Sequence, residues 1–212
     1  MTRLFVRAWR GIGLDRFAQN TRASAAVEFA MIALPLFTMI FAVMELALVF
    51  WISISLEDAA STMARQIRIG AITAPGATST TNSATSPNLL SFKTSLCGYI
   101  LLVPSANCIS QIQVDIQPFE NFSNVSPPNP ISGSTFNSSG LCYASGLAGD
   151  FVLMRVYYLW PLLTPFLLNG LEDVTTYNGT GTSSTGRYAA ITATEVFVNE
   201  PNPNVVSSGA TC

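Results

Sequence analysis

The sequence predicts an α+β protein: a long N-terminal transmembrane helix followed by a small antiparallel-sheet domain with flanking helices. Three observations carry this. Residues 29–56 read FAMIALPLFTMIFAVMELALVFWISISL, 28 residues with one charge, Glu45. Ile109 to Phe119 alternates, with Ile112, Val114 and Ile116 on one face and Gln111, Gln113, Asp115 and Gln117 on the other, the period of a half-buried strand. Two more strand patterns follow, Phe151–Trp160 and Tyr188–Val198, and strands gathered after a helical run form an α+β architecture.

The helix comes first. A bilayer core is crossed by about 20 apolar residues, and only a helix satisfies its own backbone there. The run at 29–56 is too long for the apolar region of a cleaved secretory signal, so it stays in the mature chain. Pro35 removes one backbone donor within it and predicts a kink. Beyond the bilayer, Ala60, Met63, Ala64, Ile67 and Ala71 recur at helical spacing, and Gly70 predicts the stop. The helix is therefore expected over 24–69.

Charge orients it. The chain of 212 residues has a net charge of −2 and only 10% charged residues. Residues 1–23 carry Arg3, Arg7, Arg10, Arg16 and Arg22 against Asp15, a net of +4; residues 24–54 carry −2 and the remainder −4. Arginines ahead of the span place the N-terminus in the cytoplasm and the bulk outside. The division is a basic cytoplasmic leader at 1–23, a transmembrane and extended helix at 24–70, a Ser/Thr-rich linker at 71–87 and an exported α+β domain at 88–212. In the linker, residues 73–87 hold eight Ser/Thr among fifteen, the composition of a flexible tether. Within the domain, Asn88 predicts an N-cap for a short amphipathic helix through Leu89, Phe92, Leu96 and Ile100, ended by Pro104. Residues 121–149, rich in Asn, Ser, Pro and Gly, predict a long loop, and Pro161–Leu168 a short helix or turn.

The same composition excludes function classes. There is no histidine, so imidazole-based triads and imidazole metal sites are absent. Lys93 is the only lysine and follows no glycine-rich loop, which rules out a P-loop. The balance is not basic overall, which argues against a nucleic-acid partner. No cofactor is expected. Asp115, Glu120, Asp150, Glu172 and Asp173 are expected as solvated charges, and Tyr157, Tyr158 and Trp160 as strand packing. Cys97, Cys108, Cys142 and Cys212 lie in the exported part. An even count there suggests disulfides, with three connectivities open. Cys97–Cys108 is favoured because it ties the short helix to the first strand across Pro104, with Cys142–Cys212 anchoring the tail.

Glu28 and Glu45 are the rarest residues of the apolar segment, and an ionised carboxylate in a bilayer costs roughly 2.5 kcal/mol or more. Two readings of Glu45 stand: a position near the outer interface (or a protonated carboxyl), or pairing with a donor on another helix.

Arg22-Ala23-Ser24-Ala25-Ala26-Val27-Glu28-Phe29-Ala30, a basic leader followed by a small residue and a glutamate ahead of a long apolar helix, resembles the type IV pilin-like signal. In particular it resembles the TadE-like family of tight-adherence (Flp) pilus systems. Glu45-Leu46-Ala47 is similar to that family's second acidic element, and Glu57 to Gly70 to its post-membrane helix. Gln113–Ile116, Phe151–Val156, Trp160–Pro165 and Phe197–Pro201 follow in the family's order. The resemblance implies a pseudopilin-like, non-catalytic component of pilus assembly in the bacterial inner membrane, single-pass, with its domain in the periplasm. It implies cleavage by a prepilin peptidase between Ala23 and Ser24, leaving Glu28 as residue five. Glu28 would then pair with the N-terminus of a neighbouring subunit, and Glu28 and Glu45 would act in helix assembly. Partners implied are the peptidase, other pilus or pseudopilin subunits and the inner-membrane assembly platform. Ala23 stands where the family usually has glycine. The alternative is an uncleaved, signal-anchored exported binding domain unrelated to pili.

Overall fold

A computed structural model describes residues 21–72, 87–100, 103–164, 168–179 and 182–201. The chain divides into two compact units, 1–44 and 45–212. The leader at 1–20, most of the linker (73–86) and Cys212 lie outside the described residues.

Helix α1 runs Thr21–Arg68 with Pro35 inside it, the one described helix long and apolar enough to cross a membrane. In the first unit its large side chains, from Val27 through Phe41 to Met44, face outward. Hydroxyls on the helix turn back onto its own carbonyls, Thr38 to Leu34 at 3.1 Å and to Pro35 at 2.9 Å. Ser53 does the same to Val49 at 2.9 Å. Such self-satisfaction is what an apolar medium demands of polar groups. The helix ends where expected: Gly70 adopts φ 71°, and the amides of Gly70 and Ala71 donate to Ile67 and Gln66, each at 2.9 Å. A left-handed residue closing a helix this way is nearly free of strain only as glycine.

In the second unit α1 becomes a core helix. Ile52, Leu56, Ala59, Ala60, Met63, Ala64 and Ile67 form one stripe and are all buried. They join Val114, Ile116, Met154, Val156, Tyr158 and Ile191 in a single apolar cluster, so the helix lies on one face of the sheet. The alanines let the backbone come close. Two further helices complete this layer, α2 (Pro87–Tyr99) and α3 (Ser105–Gln111), linked by the Cys97–Cys108 disulfide. The favoured bond is thus present, though it joins helix to helix. The strand itself starts only at Ile112, because residues predicted from Ile109 as strand wind into α3 after Pro104.

The sheet has six strands: β1 (Ile112–Phe119), β2 (Ile131–Ser132), β3 (Thr135–Asn137), β4 (Phe151–Pro161), β5 (Val174–Gly179) and β6 (Thr182–Val198). Their spatial order is β1-β4-β6-β5-β3-β2. The sheet is mixed rather than wholly antiparallel: β3 pairs β5 in parallel, from Thr135 opposite Thr176 to Asn137 opposite Asn178. The expected loop at 121–149 supplies β2 and β3, and thereby the parallel pair. A short helix, α4, occupies Leu168–Leu171. The second face of the sheet buries Tyr157, Leu159, Phe136 and Val174, so Tyr157 and Tyr158 pack on opposite faces as adjacent strand residues must.

Candidate functional site

The site is built on a carboxylate inside the apolar run. Glu45 is 4% exposed. Its partners come from the loop that follows β4. The Leu163 amide donates to Oε1 at 2.7 Å and the Thr164 amide to Oε2 at 2.9 Å. The Thr164 hydroxyl also donates to Oε2. Both carboxylate oxygens are used, each by a backbone N–H, and no described cation lies in ion-pair range of Glu45. Charge-assisted bonds of this kind are roughly twice as strong as neutral ones. The donors therefore belong neither to another helix nor to lipid; the chain closes on itself, 118 residues apart in sequence.

Local sequence explains why the loop offers those donors. Leu162-Leu163-Thr164 sits between Pro161 and Pro165. Proline has no N–H and cannot continue a ladder, so β4 ends at Pro161 and the chain turns. The Leu162 amide donates to the Arg187 carbonyl on β6 at 2.9 Å, which leaves the next two amides free to meet Glu45. Residues 165–167 lie outside the described set.

A second buried carboxylate holds the opposite side of the sheet. Asp115, expected in solvent, is 0% exposed. Its Oδ2 pairs with Arg155 on the adjacent strand at 2.5 Å and 3.0 Å, the two residues standing opposite each other in register. Its Oδ1 accepts from the Cys142 amide at 2.8 Å and from Gln117 Nε2 at 2.9 Å. Arg155 also donates to the Pro128 carbonyl at 2.9 Å and lies 5.7 Å from the Tyr157 ring centroid. Burial pushes the Tyr157 hydroxyl above its ordinary pKa, against the opposing pull of Arg155. The correction has a simple cause: residues 142–144 run along the outer edge of β1, where the Ile116 amide donates to the Cys142 carbonyl at 2.8 Å and the Ala144 amide donates to the Ile116 carbonyl at 3.0 Å. The face predicted as polar is covered.

The remaining sequence-predicted residues separate. Ala23 and Ser24 lie in the first turn of α1, and Glu28 is on an exposed stretch of it. Cys142 is disulfide-bonded, and its favoured partner Cys212 lies outside the described residues. Asp150 accepts from the Leu147 amide at 2.6 Å, a bond within a local turn, and Asp173 from the Ala190 amide on β6 at 3.1 Å. Glu172 stands 3.9 Å from Arg187. Among the described residues no group of three His, Cys, Asp or Glu could hold a metal ion. A shallow pocket between Pro128, Asn137 and Leu141 has no titratable lining. Sequence reasoning found Glu45 but missed its partners, for which the proline-flanked Leu-Leu-Thr was the available signal.

Residues 23–65 match the family model described as TadE-like protein. This segment starts at the small residue before Ser24 and takes in Glu28, Glu45 and most of α1. No curated protein and no solved structure matches the chain. A TadE-like segment fits a function associated with tight-adherence pili.

Proposed function

We propose, from the TadE-like segment at residues 23–65, that this chain is a structural, non-catalytic component of tight-adherence (Flp) pilus assembly of the pseudopilin-like kind. The observation that carries the reading is the coincidence of that segment with α1. The matched residues begin at the junction of a basic leader and a helix whose first half turns large apolar side chains outward. A helix of that surface belongs in a bilayer or among other apolar helices. The arginines before it favour a cytoplasmic N-terminus, a single pass of the inner membrane and a periplasmic domain, and disulfides in the domain suit that compartment.

Processing by a prepilin peptidase between Ala23 and Ser24 would remove the basic leader and make Ser24 the first residue of α1. The new amino group would lie about one helical turn from Glu28, where each charge lowers the cost of the other in an apolar setting. Neighbouring subunits and the inner-membrane assembly platform are the partners this predicts. The folded domain contributes shape and contact surface; its two buried carboxylates are occupied by structural hydrogen bonds and leave no free acid-base pair between them.

The test compares protein isolated from cells with and without the prepilin peptidase. An N-terminus at Ser24 that reverts to Met1 without the peptidase supports the reading. An N-terminus at Met1 in both overturns processing, and normal pili in a deletion strain overturn the assembly role. Ala23 in the place usually held by glycine favours a second reading, an uncleaved anchored binding domain, which predicts Met1 in both strains.

A further inference from the structure

The loop that clasps Glu45 has a location as well as a geometry. Glu45 is the seventeenth residue of the apolar run that opens at Phe29, and about 20 residues cross the hydrocarbon. Trp51, 62% exposed, follows six positions later, and tryptophan gathers at the membrane–water interface. The level of Glu45 is therefore within the leaflet on the side of the folded domain, and whatever binds Glu45 shares that level. What binds it is the backbone of Leu163 and Thr164.

Irregular backbone is tolerated at membrane depth only when its polar groups are satisfied by protein. This loop meets that demand for its donors. Pro161 and Pro165 have none. The Leu162 amide is taken by the Arg187 carbonyl, and the Leu163 and Thr164 amides and the Thr164 hydroxyl by Glu45. From 161 to 165 no backbone N–H remains to be hydrated. The side chain at the tip is apolar and faces outward: Leu163 is 81% exposed, the largest exposure among the described large hydrophobic residues.

We infer that Pro161–Thr164 is seated among phospholipid acyl chains beside α1, a second point of insertion that fixes the domain against the bilayer. Glu45 is then a positioning residue for the loop, and its carboxylate is tolerated in the apolar run because the loop covers it. The inference rests on the membrane reading of α1 given above.

The experiment uses the full chain in phosphatidylethanolamine–phosphatidylglycerol vesicles, with one environment-sensitive fluorophore placed by Leu163→Cys, Val43→Cys or Ser139→Cys in turn. Each of these side chains is exposed, so the fold is kept, and the described native cysteines are disulfide-bonded. Quenching is read from spin-labelled phospholipid and from aqueous iodide. The label at 163 is expected to follow that at 43, quenched by lipid and shielded from iodide, while the label at 139 shows the reverse. A label at 163 that behaves like 139 while 43 is lipid-quenched overturns the loop proposal alone. Iodide access at 43 as well overturns both the loop proposal and the membrane reading of α1. As a second variant, Glu45→Ala with the label at 163 should raise iodide access; unchanged quenching would overturn the positioning role.

Discussion

Two carboxylates in this chain do the same mechanical job in opposite surroundings. Asp115, at the middle of β1, holds the covering segment at 142–144 through the Cys142 amide and is matched by the Arg155 guanidinium. Glu45, inside the apolar run of α1, holds the loop after β4 through two amides and a hydroxyl, with no described cation in ion-pair range. In each case a regular element offers a charge and an irregular segment offers backbone donors. The difference lies in what remains when the anion is removed. At β1 a guanidinium with 12% side-chain exposure is left unmatched. At α1 only neutral N–H and O–H groups are left, on a loop free to move.

That difference predicts unequal losses. Removing one member of a buried ion pair leaves an uncompensated charge and costs roughly 3–5 kcal/mol. Asp115→Ala should therefore lower stability by about that amount in urea unfolding of the detergent-solubilised protein. Adding Arg155→Met should recover a large part of it, because no charge is then stranded. If the double variant is as unstable as the single one, the Cys142 amide contact outweighs the charge balance and the contrast between the two sites is lost.

Lys93 sharpens the comparison from the opposite sign. It is buried on α2, and no described carboxylate lies in ion-pair range of it. Burial pushes its pKa down from 10.5 to about 8. The unfolded chain keeps its proton up to the ordinary value, so between about pH 8 and 10.5 the unfolded state binds more protons and stability rises with pH. Below that window both states are protonated and the cost of the buried charge is present in full. Lys93→Met should raise stability at pH 7 by about 2–3 kcal/mol and abolish the rise in melting temperature between neutral and alkaline pH. A wild-type profile that is flat across that window would show the ammonium to be well solvated.

Glu45→Gln should cost less, about 1–2 kcal/mol, and act locally. The amide keeps one acceptor oxygen for one of the two backbone donors and presents its NH2 to the other. The expected signature is faster hydrogen exchange at Leu163 and Thr164 with the Asp115 region unchanged. Equal acceleration at both sites would mean that the two clasps belong to one cooperative unit.

Much of this was legible from the sequence because it depends on local periodicity. The apolar run announced α1, Gly70 its end, and the alternation through Ile112, Val114 and Ile116 the inward face of β1. The spacing of Cys97 and Cys108 across Pro104 pointed to their disulfide. The remainder depends on contacts distant in sequence. Asp115 lies on a face whose alternation reads as solvated, and its partners are distant in sequence: the Cys142 amide, 27 positions later, and Arg155, 40 positions later. The parallel pairing of β3 with β5 arises from three residues in a Ser/Asn-rich stretch that carries no strand pattern. Glu45 was conspicuous as the lone charge of the run, but its donors are backbone groups, and a backbone N–H has no signature of its own. Only the two prolines around Leu162-Leu163-Thr164 mark a place where such donors are turned out of a strand.

The smallest effect tests the Glu45 clasp most closely. Thr164 gives two donors to one oxygen, its amide at 2.9 Å and its hydroxyl. Thr164→Val keeps the amide and the side-chain shape and removes only the hydroxyl, a loss of about 1 kcal/mol. Thr164→Ser restores the donor on a less restricted side chain and should return most of it. Hydrogen exchange at residues 163 and 164 should rank wild type slowest, serine next and valine fastest, with the Glu45→Gln protein faster than all three. If valine exchanges as slowly as wild type, the two amides alone hold the loop. The carboxylate would then act through backbone geometry, and the choice of threonine between Leu163 and Pro165 would have no consequence for the clasp.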